Sequence, residues 1–333
     1  MTSIGVLGGG AWGTALADHL ARKGEATVRL WARNPEVVDE ILRHHRNEQY
    51  LPGHSLSASL LATESAAEAV RECGVVVNAV PSHAVRSVLG ELAACIAADA
   101  VLINASKGIE LNSLTFMSGV VRDELPGRSF VVLSGPSFAD EVAAGQPTAV
   151  VAASRSPEAA LRAQGILSSS RFRVYTSSDV VGVEVGGSLK NVIAIAAGVL
   201  DGIGMRHNPR AALITRGLAE MTRLGVALGA EPGTFAGLAG LGDLVLTCTG
   251  SLSRNHALGV ALGRGETLAQ YQKTHRSATE GVNTARAALE LASRARVELP
   301  VTAQVAAVLF DEKPVGQAVA DLMERALKSE QWT

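Results

Sequence analysis

The stretch Ile4-Gly5-Val6-Leu7-Gly8-Gly9-Gly10-Ala11-Trp12-Gly13-Thr14-Ala15-Leu16 decides the architecture. A short apolar run leads into Gly8, Gly10 and Gly13 at G-x-G-x-x-G spacing, and Thr14 to Arg22 continues with helical character. Each glycine has its own physical reason. Gly8 permits the tight turn, Gly10 lets backbone approach a pyrophosphate, and Gly13 allows the helix to pack closely on the strand, while the helix amino terminus attracts phosphate. The spacing thus predicts a domain that binds a nicotinamide dinucleotide.

Outward from this loop, apolar runs alternate with helix-like segments as far as Tyr175, the pattern of a sheet covered by helices on both faces. Strands are expected at Ile4 to Leu7, Val28 to Trp31, Val75 to Val80, Val101 to Asn104, Phe130 to Leu133, Thr148 to Ala152 and Phe172 to Val174. Several are apolar at every position, as strands of a buried parallel sheet must be. Beyond Val180 the strand signal fades. Asn208-Pro209 looks like a helix start, Ile214, Leu218, Met221 and Leu228 recur at helical spacing, and Gly229 offers a stop. The expected fold class is α/β: an N-terminal Rossmann-type doubly wound sheet in residues 1–180, with a C-terminal all-helical domain for substrate and catalysis in residues 181–333.

Composition narrows the partners. With 47% hydrophobic and 19% charged residues the chain is compact, and a net charge of -2 offers no field for nucleic acid or an anionic membrane. Only 4% of residues are aromatic, too few to stack bases or sugars, which points to a small polar substrate. Cys73, Cys95 and Cys248 are odd in number and widely spaced, which fits a reducing compartment. Met1 to Gly10 leaves no room for a signal peptide, and the apolar stretch Val192 to Leu200 is shorter than a membrane span, so a cytoplasmic location with no span is expected. The histidines lack metal-ligand spacing and no serine sits in a nucleophile elbow.

In an open parallel sheet, ligands bind beyond the carboxyl ends of the strands. Three segments follow strands there: Asn78 to His83, Ser106-Lys107-Gly108, and Ser134-Gly135-Pro136-Ser137-Phe138. Lys107 is a cation beside the dinucleotide, whereas His83 reads as a loop histidine. The second strand ends in Trp31-Ala32-Arg33-Asn34, with no acid to hold ribose hydroxyls, so Arg33 is expected to receive the 2′-phosphate of NADP, with NAD also accepted. In Gly186-Gly187-Ser188-Leu189-Lys190-Asn191 the two glycines share a helical face with Lys190, leaving backbone open to a ligand. A buried lysine near other cations has a lowered pKa, suited to exchanging a proton with an alcohol as hydride moves. Asp243 and Thr247 share a face, and Ser251-Leu252-Ser253-Arg254-Asn255 has the makings of a phosphate receptor at a helix start.

These residues, with Asn47-Glu48-Gln49-Tyr50-Leu51-Pro52-Gly53, Gly187 to Ile195 and Ala239 to Thr249, resemble bacterial NAD(P)-dependent glycerol-3-phosphate dehydrogenase over nearly the full length. The resemblance implies reversible hydride transfer between NAD(P)H and dihydroxyacetone phosphate, giving sn-glycerol 3-phosphate for phospholipid synthesis, with Lys190 as acid and base. It places Lys107, Gly135, Ser137, Lys190, Asp243, Thr247, Ser253, Arg254 and Asn255 around substrate. Around the dinucleotide, beside Gly8, Gly10 and Gly13 of the glycine loop, it places Trp12, Arg33, Tyr50, Lys107, Ala139, Arg254 and Glu280, and it implies a homodimer; no metal is expected. One departure is Ala11, where many relatives carry a serine able to meet the pyrophosphate. Two other readings stay open: a related two-domain hydroxy acid dehydrogenase, and a nucleotide sensor without turnover.

Overall fold

The computed structural model describes residues 2–275, 279–327 and 329–330. Its main sheet is built from β1 (Thr2–Leu7), β2 (Ala26–Trp31), β3 (Leu61–Thr63), β4 (Val75–Asn78), β5 (Val101–Asn104), β8 (Ser129–Ser134), β9 (Thr148–Ala153) and β10 (Phe172–Ser177). The strands lie in the order β10-β9-β8-β5-β4-β1-β2-β3. From β3 to β8 every pairing is parallel, with Ile4 registered on both Val28 and Val75, and Asn78 on Asn104. The order reverses beside β1, so the switch-point crevice lies between β1 and β4, at the end of the glycine loop.

Side chains alternate between two buried faces. Ile4, Val6, Val28, Leu30, Val75 and Val77 pack under helix α1 (Ala11–Lys23), while Leu7, Val76 and Leu102 face Leu89 and Val120 on the opposite side. Burying each such side chain contributes about 1.5–3 kcal/mol, and in β4 and β5 every residue on both faces is buried.

Three elements depart from expectation. β3 was not expected, because three residues at a sheet edge carry no apolar run. β9 pairs antiparallel to β8, since the residues between them form a short helix, Ala139–Ala143, at the carboxyl edge and the chain then turns back. A hairpin of β6 (Ile109–Glu110) and β7 (Thr115–Phe116) leaves the sheet and buries Ile109 and Leu114 in the core of the helical half.

From Val180 onward the regular elements among the described residues are all helical. α2 (Val180–Gly202) is buried around nearly its whole circumference and is surrounded by α3 (His207–Ala227), α4 (Asp243–Thr249), α5 (Arg254–Gly263) and α6 (Glu280–Ala295). By length and composition α2 could cross a membrane, further than the nine-residue stretch read from sequence suggested, yet 89% of its most apolar window is buried inside the protein. α3 starts at His207, ahead of Asn208-Pro209, and Pro209 is accommodated because the first-turn N–H groups have no helical partner. Gly229 (φ 94°) follows its end, as the sequence suggests.

α2 and α5 approach until backbones touch. A Cβ on Gly198 would stand 2.1 Å from the His256 carbonyl oxygen, and one on Gly259 would stand 2.1 Å from that of Ile195. This contact fixes the start of α5, with Ser253, Arg254 and Asn255, against the helix that carries Lys190.

Candidate active site

The glycine loop has the shape that a dinucleotide needs. Gly8 has φ 112°, a conformation closed to most L-residues, and a Cβ on Gly13 would lie 1.9 Å from the Gly8 carbonyl oxygen. Gly10 differs: a Cβ there would meet nothing within 4 Å, so this backbone faces open space at the amino terminus of α1. Arg33 is exposed just beyond β2, Tyr50 is exposed, and Trp12 and Ala139 are half-buried.

Next to this crevice the two halves meet in a buried cluster of charge. Lys190, midway along α2, donates to Asp243 Oδ1, and Lys107, in the loop after β5, donates to Asp243 Oδ2 at 2.7 Å. Lys107 also donates to the Gly135 carbonyl at 3.3 Å, which accepts from the Ser137 hydroxyl at 3.0 Å. Thr247 lies one turn beyond Asp243, its hydroxyl 2.6 Å from the Asp243 carbonyl. Asp243 is only 1% exposed and Lys190 8%, so the charges sit in a low-dielectric setting where each strongly affects the other.

Burial pushes the Lys190 ammonium far below the ordinary lysine value, to about 7; Asp243 works against this and Lys107 adds to it. For Asp243, burial alone would raise the carboxyl, but Lys107 and Lys190 outweigh it and hold the group below the ordinary aspartate value. The cluster therefore contains a fixed anion flanked by two cations, one of which exchanges its proton near neutrality.

Local structure explains the placement. The residues before Asp243 form a turn of π-helix, Leu238–Gly242, a distortion often found at functional sites. Gly186 admits that turn, since a Cβ would lie 2.3 Å from the Ala239 carbonyl oxygen; Gly187 gives room to Lys107 and to the Ser134 hydroxyl, 2.8 Å from its would-be Cβ. The sequence reading gave both glycines to a ligand; protein atoms fill that space.

Ser253 caps α5 by accepting from His256 N at 3.2 Å, while Arg254 is exposed in its first turn. Asn255 is buried: its Nδ2 donates to Asn191 Oδ1 at 3.0 Å and its Oδ1 accepts from Gly281 N at 2.9 Å, which leaves one N–H uncommitted. Glu280 starts α6 and reaches across to the other half, accepting from Ser82 N at 3.3 Å and from the Ser82 hydroxyl. His83 is exposed in a 3₁₀ turn, as a loop histidine would be.

The sequence reading took Asn78 only as the start of a loop segment and passed over Asn104; their amides shape the Lys107 loop. Asn78 Nδ2 donates to Asn104 Oδ1 at 2.7 Å and to Ser106 Oγ at 3.2 Å, and Asn104 Nδ2 donates to the Ser106 carbonyl at 2.8 Å. A usable signal existed, an asparagine ending each of two otherwise apolar strands. Asn191 was likewise passed over as the neighbour of Lys190.

Fold and site define a class: a Rossmann-type oxidoreductase whose helical half inserts a buried lysine beside the dinucleotide crevice. Residues 3–160 match the family model described as NAD-dependent glycerol-3-phosphate dehydrogenase N-terminus, and residues 179–320 match the model of its C-terminus. Curated glycerol-3-phosphate dehydrogenases [NAD(P)+] from Geobacter sulfurreducens and Geobacter metallireducens are 54% and 55% identical, over 99% and 98% of both chains respectively. The crystal structure of glycerol-3-phosphate dehydrogenase from Coxiella burnetii superposes with TM-score 0.93 at 41% identity, covering 97% of this chain and 99% of that one. The chain belongs to the NAD-dependent glycerol-3-phosphate dehydrogenase family.

Proposed function

We propose that this protein interconverts dihydroxyacetone phosphate and sn-glycerol 3-phosphate with NADPH or NADH, supplying the alcohol for phospholipid synthesis, and that Lys190 moves the proton. The bound nicotinamide supplies or accepts the hydride. The observation that carries the reading is the buried Lys190–Asp243–Lys107 cluster at the mouth of the crevice.

In the reducing direction the Lys190 ammonium donates a proton to the oxygen that becomes the hydroxyl, and in the oxidising direction neutral Lys190 removes it. Asp243 holds Lys190 in place and favours its charged form. Lys107 stabilises negative charge on the same oxygen. Gly135, Ser137 and Thr247 line the substrate, while Ser253, Arg254 and Asn255 offer a hydroxyl, a guanidinium and a spare amide N–H to phosphate at a helix start. Gly8, Gly10 and Gly13 admit the dinucleotide; Trp12, Arg33, Tyr50, Lys107, Ala139, Arg254 and Glu280 contact it, with Arg33 on the 2′-phosphate of NADP. A cytoplasmic homodimer completes the reading.

The test is a panel of ketones, phosphorylated and carboxylated, assayed by NADPH oxidation. Turnover of dihydroxyacetone phosphate well above that of any 2-keto acid is expected. A preference for the keto acids would transfer the chain to the hydroxy acid dehydrogenases, and no turnover with tight NADPH binding would make it a sensor.

A further inference from the structure

Asn47 belongs to the Asn47-Glu48-Gln49-Tyr50-Leu51-Pro52-Gly53 segment, of which only Tyr50 has been given a role. Its side chain is fully buried. Nδ2 donates to the Gly9 carbonyl at 3.0 Å and to Thr14 Oγ1 at 2.8 Å, and Oδ1 accepts from Tyr50 N at 3.3 Å. Thr14 Oγ1 donates to the same Gly9 carbonyl at 3.3 Å. The Gly9 oxygen is thus held from the inside by two side chains.

A peptide unit is planar and trans, so the C=O of Gly9 and the N–H of Gly10 point in opposite directions. Holding the carbonyl inward turns the Gly10 N–H the other way, at the amino terminus of α1, where a Cβ on Gly10 would meet nothing within 4 Å. We infer that Asn47 is a positioning residue for the dinucleotide: it fixes the Gly9–Gly10 peptide in the orientation that presents the Gly10 N–H to pyrophosphate. Glycine on both sides of that peptide leaves its rotation otherwise unrestrained, because neither residue has a side chain to resist it. Ala11 increases the dependence, since without a hydroxyl at that position backbone N–H groups must meet the phosphates. Asn47 itself stays beneath the loop and touches no ligand.

The inference rests on the reading of this loop as the dinucleotide site, and predicts an effect distinct from that of Arg33. Pyrophosphate is common to both cofactors, so Asn47 should matter equally for each; the 2′-phosphate is not. The experiment titrates NADPH and NADH into wild type, Asn47→Ala, Asn47→Asp and Thr14→Val, with thermal melting as a check on folding. Asn47→Asp keeps the acceptor for Tyr50 N and replaces the donor with a group that repels the Gly9 carbonyl.

For the Asn47 variants both Kd values are expected to rise by about 10- to 100-fold and by the same factor, the range of one misaimed hydrogen bond to a charged group. The KM for dihydroxyacetone phosphate and kcat at saturating cofactor should stay within about twofold, a split that general loss of structure would not produce. Thr14→Val, which removes the second donor to Gly9 and keeps the shape of the side chain, should weaken both cofactors in equal ratio but by less; it decides the matter if the Asn47 variants do not fold. Folded variants with unchanged Kd values, or with loss of one cofactor alone, would overturn the role of Asn47. A wild-type protein that binds neither cofactor would instead overturn the reading of the loop.

Discussion

The proton affinity of Lys190 has three physical causes that can be altered one at a time: burial, the carboxylate of Asp243 and the ammonium of Lys107. In the role proposed for Lys190, reduction needs the protonated lysine and oxidation the neutral one. Hence kcat/KM for ketone reduction should fall as pH rises through about 7, and kcat/KM for alcohol oxidation should rise through the same point. Asp243→Asn removes the carboxylate that raises the lysine value, so the reduction limb should move to lower pH; an unmoved limb would assign the titration to another group. At the other end of the cofactor, Arg33→Ala should raise the KM for NADPH by about 10-fold or more, as for a lost charge-assisted hydrogen bond, and leave that for NADH nearly unchanged. Equal values for both cofactors would leave Arg33 as a surface arginine. Lys190, Lys107 and Asp243 were legible in the sequence because each breaks a local rule: a lysine inside an apolar helix, a lysine directly after a buried strand, an aspartate among glycines and leucines. Asn47 was not legible, since its partners are a backbone carbonyl and a hydroxyl more than thirty positions away.

Among the secondary-structure elements, α2 owes its position to missing side chains. Gly186 against Ala239, Gly198 against His256, and Gly259 against Ile195 each leave no space for a methyl group. Gly198→Ala should cost about 1–3 kcal/mol, the usual penalty for overpacking, and should raise the KM for dihydroxyacetone phosphate more than that for NADPH, because α5 carries the proposed phosphate site. Chemical denaturation with parallel steady-state kinetics checks both; a stable variant with wild-type kinetics would show that the contact yields without consequence. Sequence patterning revealed most of the central strands, which are apolar on both faces, and the helical half through its 3.6-residue periodicity. It did not reveal β3 or the β6–β7 hairpin, whose two or three residues are too few to establish an alternation, nor the reversal at β9. Strand direction is set by where the connecting residues travel, and Ala139–Ala143 stays at the cofactor edge. The glycine pair at 186–187 was noticed, but its purpose lay in helix contacts that adjacency in sequence does not encode.

At the scale of the whole molecule, two buried carboxylates tie distant segments together. Glu184 on α2 accepts from Ser118 N at 2.7 Å and from its hydroxyl, and Glu220 on α3 accepts from Val301 N and Thr302 N. Burial raises both carboxyls to about 7 despite these bonds. A folded value above the unfolded one favours the protonated form, so this contribution is complete below about 4.5 and is lost as pH rises through about 7. Relative to a Glu184→Gln, Glu220→Gln variant, wild type should lose stability between pH 5 and 7.5 in urea melts; parallel curves would mean that the carboxyls titrate alike in both states. The same joining of distant segments creates the candidate active site, where a loop of the sheet and a helix of the second half share Asp243. The central claim is that this shared site delivers a proton from Lys190. Single-turnover oxidation of NADPH by dihydroxyacetone phosphate in Lys190→Ala isolates that step from binding and product release. A rate lower by about 10²- to 10⁴-fold, with NADPH affinity unchanged, is the expected result, and a rate within a few-fold of wild type would contradict it.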